Sequence, residues 1–248
     1  MEESHTMKTE IQRALITGGS RGIGFHITKK LTENGIDVCI AGRDGTSLRE
    51  AKGQLLQNPL SAQVHTIQID LEQPDAPQQL IREAGEKLGG LDLLVNNAGI
   101  CLNRSLEETS LKEWDRIMHI NARAPYFLCQ HALPWLRDSS VPTIIQIASV
   151  VGHNGYESQS AYAASKHALL GFTKSLAKEV QHEGIRVYTL SPGGVATEMI
   201  GAARPDLDDS ALIDPTEISD LVWYILTHRG NAMIDNLMIR RAAKTAWS

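Results

Sequence analysis

Six short runs of apolar, largely β-branched residues recur along this chain, separated by longer stretches whose apolar positions follow a helical period. The runs are Arg13–Thr17, Asp37–Ala41, Val64–Ile69, Leu91–Asn96, Thr143–Ile147 and Arg186–Leu190. Runs this short and this continuously apolar suit strands buried on both faces. Between them lie helical stretches such as Gly22–Asn34, closed by Gly35, and Trp114–Arg137, with Leu, Ile and Met on one side. Strand and helix in alternation are the signature of a parallel sheet covered by helices on both faces. The pattern therefore predicts an α/β, doubly wound parallel sheet of about seven strands, the seventh being the weaker run Met233–Ile239.

No repeat, low-complexity tract or change of composition marks a second domain, so residues 13–248 read as one unit behind a loose arm, residues 1–12. With 42% hydrophobic and 21% charged residues, a chain of 248 residues closes one sizeable core. A net charge of −5 opposes both nucleic-acid backbones and anionic lipid, so neither is predicted as a partner. No segment approaches the ~20 unbroken apolar residues of a membrane-spanning helix, and the arm has no apolar run of the kind a secretory signal needs. Cys39, Cys101 and Cys129 are far apart, and His131, His153, His167 and His182 add no ligand spacing, so no disulfide or metal site is predicted and a cytoplasmic location is expected. One long irregular stretch, residues 194–215, is broken up by Gly201, Pro205, Asp206, Asp208, Asp209 and Asp214. Its length predicts a substrate lid.

After the first strand comes Thr17-Gly18-Gly19-Ser20-Arg21-Gly22-Ile23-Gly24, followed directly by a helical pattern. Such a turn aims backbone N–H groups and the positive end of a helix dipole at a pyrophosphate. The GxxxGxG spacing departs from the usual GxGxxG dinucleotide fingerprint. In this position the segment TGGSRGIG resembles the cofactor turn of the short-chain dehydrogenase/reductase family, compact single-domain Rossmann folds, and further family marks follow in order. The resemblance implies cofactor contacts from Gly18, Ser20, Arg21, Gly22, Ile23 and Gly24 in the turn, and from Asp70 with Leu71 at the adenine. Asn96-Asn97-Ala98-Gly99 is similar to the element beside the adenosine ribose, giving Asn97, Ala98 and Gly99 as contacts. Pro192, Gly193, Val195 and Thr197 resemble the segment that holds the nicotinamide carboxamide.

Tyr162 and Lys166 stand four residues apart, so on a helix both emerge from one face, a turn apart. The nearby lysine cation and the oxidised nicotinamide favour the phenolate, which predicts a Tyr162 pKa below the usual ~10 and a side chain usable as acid and base. Ser149 follows the strand Thr143–Ile147, where side chains of open parallel sheets meet the ligand crevice, and its hydroxyl suits a carbonyl oxygen gaining charge. Asn121 resembles the fourth catalytic residue of the family, whose backbone carbonyl kinks its helix and holds a water that passes protons to the lysine. Lys166 by the same resemblance binds the nicotinamide ribose.

The end of the second strand reads Ala41-Gly42-Arg43-Asp44. A carboxylate at the Gly42 position would accept from a ribose 2′-hydroxyl and repel a 2′-phosphate; Gly42 with Arg43 beside it, and Arg21 opposite, predicts NADP(H). A one-residue shift of the strand end would instead bring Asp44 toward the ribose. The implied activity is hydride transfer between a small carbonyl compound and its alcohol. Three alternatives share parts of this pattern. Reduction of carrier-bound 3-oxoacyl groups uses the same four residues, but the ending Asp235-Asn236-Leu237-Met238-Ile239-Arg240-Arg241 lacks the glycine pair common there. A sugar-nucleotide epimerase would need a longer chain, and an idle NADP(H) sensor would not need Asn121, Ser149, Tyr162 and Lys166 together. Asn103, His153, Asn154, Tyr156 and Gln159 are expected to line a polar substrate pocket. The resemblance also implies a homo-oligomer, a tetramer or a dimer, built on Trp114–Arg137 and Ala161–Gly184.

Overall fold

The computed structural model describes residues 9–57, 62–203 and 211–245. Part of the expected arm, residues 1–8, and the middle of the expected lid, residues 204–210, lie outside them. Seven strands, β1 (Arg13–Thr17), β2 (Asp37–Gly42), β3 (Val64–Gln68), β4 (Leu93–Asn96), β5 (Thr143–Ile147), β6 (Arg186–Pro192) and β7 (Asn236–Ile239), form one sheet in the order β3-β2-β1-β4-β5-β6-β7, every pairing parallel.

The inner strands are largely apolar because each faces two cores. Alternate residues sort cleanly: Ala14, Ile16, Val38, Ile40, Leu93 and Val95 join one cluster, while Leu15, Cys39, Ala41 and Leu94 join the other. The first face is covered by α1 (Gly22–Thr32), α2 (Gly45–Leu55) and α8 (Pro215–Thr227), and the second by α3 (Ala76–Leu88), α5 (Ala124–Arg137) and α6 (Ser160–Val180). The sheet order reverses direction between β1 and β4, and such a reversal opens a crevice at the carboxyl ends of the strands.

Trp114–Arg137 is not one continuous helix. It starts earlier, as α4 (Leu111–Met118), passes through a π turn at His119–Arg123, and continues as α5. The π turn surrounds Asn121, which is drawn inward by bonds described below. In the irregular stretch, α7 (Glu198–Ala203) is followed by the residues outside the described set, and Val195 pairs with Ile213 so that the stretch leaves and returns at one point. No helix among the described residues is long and apolar enough to cross a membrane.

Candidate active site

A cleft of about 850 Å³ runs along the carboxyl ends of the strands, from Arg43 and Asp70 at one end to Tyr156 and Arg241 at the other. Every expected cofactor contact lines it except Gly24. Gly24 lies beneath the glycine turn, where a side chain would collide with the Gly18 carbonyl oxygen and the Asn97 amide. Gly18 itself has φ +65° and a Cβ there would stand 3.1 Å from the Ala98 backbone, so a glycine is needed twice over. The turn is held from β4: the Asn97 amide donates to the carbonyls of Thr17 (2.9 Å) and Gly18 (3.1 Å), and the Thr17 hydroxyl accepts from the N–H groups of Asn97 and Ala98, both at 3.0 Å. This rigid, side-chain-free cradle at the start of α1 suits a pyrophosphate.

At the β2 end, the strand runs one residue further than its apolar pattern and stops at Gly42, with Arg43 exposed beyond it. Among the described residues Arg43 makes no ion pair. Asp44 also lines the cleft but is engaged as the N-cap of α2, accepting from Thr46 N–H at 2.8 Å and the Ser47 hydroxyl at 2.9 Å, and these bonds hold its carboxyl below its ordinary pKa. Arg21 bridges the cleft to Glu198 in α7, Nη1 to Oε2 2.6 Å.

The reacting groups gather beyond the glycine turn. Ser149 lies two residues beyond β5 and accepts from the Val151 N–H at 3.2 Å. Tyr162 and Lys166 project from α6 into the same space, the Lys166 ammonium 5.9 Å from the centre of the Tyr162 ring and donating to the Ile147 carbonyl at 3.0 Å. The expected lowering of the Tyr162 pKa is not what the protein alone produces. Burial pushes the phenol up, the Cys101 thiol adds to that, and hydrogen bonding with Ser149 pulls the other way. Burial also lowers Lys166 to about 8. Taking the two groups out of water outweighs their mutual effect because each loses its favourable hydration in the charged form.

Asn121 does not line the cleft. Its side chain clasps the backbone of Ile100, accepting from the N–H at 2.9 Å and donating to the carbonyl at 2.8 Å, and donates to the Ser165 hydroxyl at 3.1 Å. Ser165 donates to the Tyr162 carbonyl at 2.7 Å. The chain after β4 and the first turns of α6 are thereby fixed to one another through Asn121. Gly99 lies at the junction, where a Cβ would be 3.2 Å from the Asn121 side-chain oxygen and 3.7 Å from the Lys166 nitrogen.

Of the polar residues expected in the pocket, Asn154, Tyr156 and Gln159 line it; Asn103 and His153 do not. The His153 ring is turned to Ser191 in β6, Nε2 to Oγ 3.1 Å, and to Asn236 in β7. Two lining features escaped the sequence. Cys101 is half-buried beside Tyr162 and Lys166, and its only signal was its place just beyond β4. Arg240, Arg241 and Lys244 line the far end.

A family model described as short chain dehydrogenase matches residues 12–208. An uncharacterized oxidoreductase of Staphylococcus aureus (strain MW2) is 32% identical over 227 residues, covering 92% of this chain and 96% of its own. A metagenomic short-chain oxidoreductase, solved in complex with NADP, superimposes with a TM-score of 0.80 at 30% identity, covering 93% of this chain and 97% of its own. An acetoin dehydrogenase from Salmonella typhimurium gives a TM-score of 0.82 at 27% identity, covering 93% of this chain and 94% of its own.

Proposed function

The chain belongs to the short-chain dehydrogenase family, and from that premise we propose that it is an NADP(H)-dependent oxidoreductase interconverting a small carbonyl compound and its alcohol, with Tyr162 as proton donor and acceptor. The class of reaction, between CH–OH and C=O, comes with the family. The observation that carries the finer reading is the convergence of Ser149, Tyr162 and Lys166 in a cleft whose other end presents a glycine cradle and Arg43, which makes no ion pair among the described residues. The similarity to a relative solved with NADP points the same way.

The residues present fit the dinucleotide. The turn Gly18–Gly24 would take the pyrophosphate; Arg43 with Arg21 would take the 2′-phosphate; Asp70 and Leu71 would flank the adenine, and Asn97, Ala98 and Gly99 its ribose. Pro192, Gly193, Val195 and Thr197 would hold the carboxamide end, and Tyr162 and Lys166 the second ribose. The bound nicotinamide supplies or accepts the hydride. Ser149 holds the substrate oxygen by a hydrogen bond that strengthens as charge develops there. Tyr162, with its pKa raised by burial, is protonated at neutral pH and gives its proton to that oxygen in reduction. The Lys166 ammonium stabilises the phenolate that this leaves behind. Asn121 acts at one remove, through Ile100 and Ser165.

Residues 194–215 are read as a lid over the substrate end, pinned at the Val195 and Ile213 pairing. Assembly into a homo-oligomer through the α4–α5 and α6 surfaces is part of the same reading. Leu169 and Leu170 are buried within the chain itself, so the exposed contacts offered are Tyr126 and Phe127. The test of function is a panel of carbonyls and alcohols with purified protein and each nicotinamide cofactor, read by cofactor absorbance. Turnover that vanishes in Tyr162→Phe supports the assignment. Cofactor binding with no turnover across the panel would favour the idle sensor instead.

A further inference from the structure

The cleft has a cationic rim that the cofactor does not account for. Strand β7 runs beside β6 in register Pro192 to Ile239, and the Gly193 N–H donates to the Ile239 carbonyl at 2.7 Å, so the chain leaving β7 emerges against Gly193 and Gly194. There the half-buried Arg241 lays its stem along the two glycines; a Cβ on Gly194 would stand 3.5 Å from its Cδ and 3.8 Å from its Nε. The tail then curls back, with Lys244 N–H donating to the Arg241 carbonyl at 3.0 Å. Arg240 fixes this curl, its Nη1 donating to the carbonyls of Arg241, Ala242 and Lys244 at 3.2, 3.3 and 2.9 Å. One guanidinium is thus spent on the backbone, and Arg241 and Lys244 are left on the same rim.

Neither Arg241 nor Lys244 makes an ion pair among the described residues. Of the carboxylates lining the cleft, Asp44 and Asp70 stand at the adenosine end, and Glu198 is matched by Arg21. The rim stands away from Arg43, since from β2, which presents Arg43, to β7 is five strand steps, ~24 Å, across the sheet. The loop after β6 itself reaches back to the glycine turn, where Thr197 meets Gly22 and Glu198 pairs with Arg21. From β5, two residues beyond which lies Ser149, it is two steps, ~10 Å.

We propose that Arg241 and Lys244 are the specificity-determining residues for an anionic group on the substrate, a carboxylate or phosphate a few bonds from the reacting carbonyl. The proposal rests on the carbonyl reductase reading and deepens it: the substrate is a short oxo acid or oxo phosphate, or the matching hydroxy compound, rather than a neutral ketone. Arg241, flat against two glycines, offers a planar fork to the anion, and Lys244 adds a mobile point charge.

The test compares matched pairs, levulinate with methyl levulinate and dihydroxyacetone phosphate with dihydroxyacetone, on the wild type and on the Arg241→Gln, Lys244→Gln double variant. In the wild type, kcat/KM for the anion should exceed that for its neutral partner, and the ratio should fall about 10- to 100-fold in the double variant, the effect of one or two charge-assisted bonds. The carboxylate and phosphate pairs separate the two anions. Calorimetric binding of levulinate and dihydroxyacetone phosphate to the NADPH-loaded protein reads the rim independently of turnover. Anion binding that is lost in the double variant, with no turnover of any of the four compounds, would sink the carbonyl reductase reading and leave the rim standing. Equal ratios in both proteins, no binding of either anion by the wild type, or a parallel loss of NADPH affinity in the double variant would overturn the rim.

Discussion

The Lys166 ammonium stands 5.9 Å from the centre of the Tyr162 ring, and the same low-polarity surroundings push their pKa values apart, the phenol up and the ammonium down to about 8. The sign of the pH dependence follows. Below about 8 Lys166 is charged and able to stabilise a forming phenolate; as the pH rises through that value the charge goes. Reduction at saturating NADPH should therefore decline above about pH 8, and Lys166→Arg, which stays charged, should move the decline upward. A wild-type profile flat up to the range of free lysine would remove the Lys166 charge from the mechanism.

Tyr162→Phe keeps the ring and deletes the proton. Turnover should fall by the ~10² to 10⁴ that positioned acid catalysis contributes, with NADPH affinity within a few fold of the wild type. Activity within about tenfold of wild type would make some other group the acid.

Asn121→Ala unpairs the N–H and carbonyl of Ile100 together. Leaving such groups unsatisfied costs about 1–3 kcal/mol, measurable as a shift in chemical denaturation. Turnover should drop with the stability, because the Tyr162 end of α6 loses its tie through Ser165. Asn121→Asp retains an acceptor for the Ile100 N–H and should sit between the two. A stable alanine variant with full activity would show the clasp to be dispensable.

The parts legible in the sequence are those whose cause is local. Alternating cores made the strands continuously apolar, which fixed six of them to within a few residues, and a turn of helix between Tyr162 and Lys166 placed both on one face. What was not legible depends on distant partners. The π turn holds Asn121, which bonds to Ile100, the His153 ring is turned to Ser191 and Asn236, and Arg21 meets a carboxylate far along the chain. The lowering of the Tyr162 pKa is expected from Lys166 together with the oxidised nicotinamide; in the protein alone burial, which spacing cannot reveal, pushes the phenol the other way. The tail after Ile239 is brought to the cleft by the pairing of β6 with β7, a contact its own residues do not signal.

The proposed preference for NADP(H) rests on the end of β2. The strand stops at Gly42, so the position that would carry a ribose-binding carboxylate has no side chain, and Asp44, the residue a shifted strand end would have presented, is committed to capping α2. Arg43 is exposed and, among the described residues, without an ion pair. Arg21 is matched to Glu198, but both side chains are largely exposed, and a pair of that kind contributes ~0–1 kcal/mol. A 2′-phosphate offers charge-assisted bonds of ~1.5–3 kcal/mol each, so exchanging Glu198 for the phosphate is favourable. One such contact corresponds to roughly 10- to 100-fold in kcat/KM for NADPH over NADH. Gly42→Asp has room to fold, since a Cβ there meets Leu48 at 3.6 Å and the Ser20 hydroxyl at 3.8 Å, both ordinary contacts. Its carboxylate would accept from a free 2′-hydroxyl and repel a phosphate, so the preference should be erased or reversed. Arg43→Ala combined with Arg21→Ala should lower kcat/KM for NADPH and spare that for NADH, while Asp44→Asn, which keeps the cap acceptor, should leave the ratio unchanged. Equal kcat/KM for the two cofactors in the wild type, or a ratio untouched by losing both arginines, would mean that β2 does not read the 2′ position.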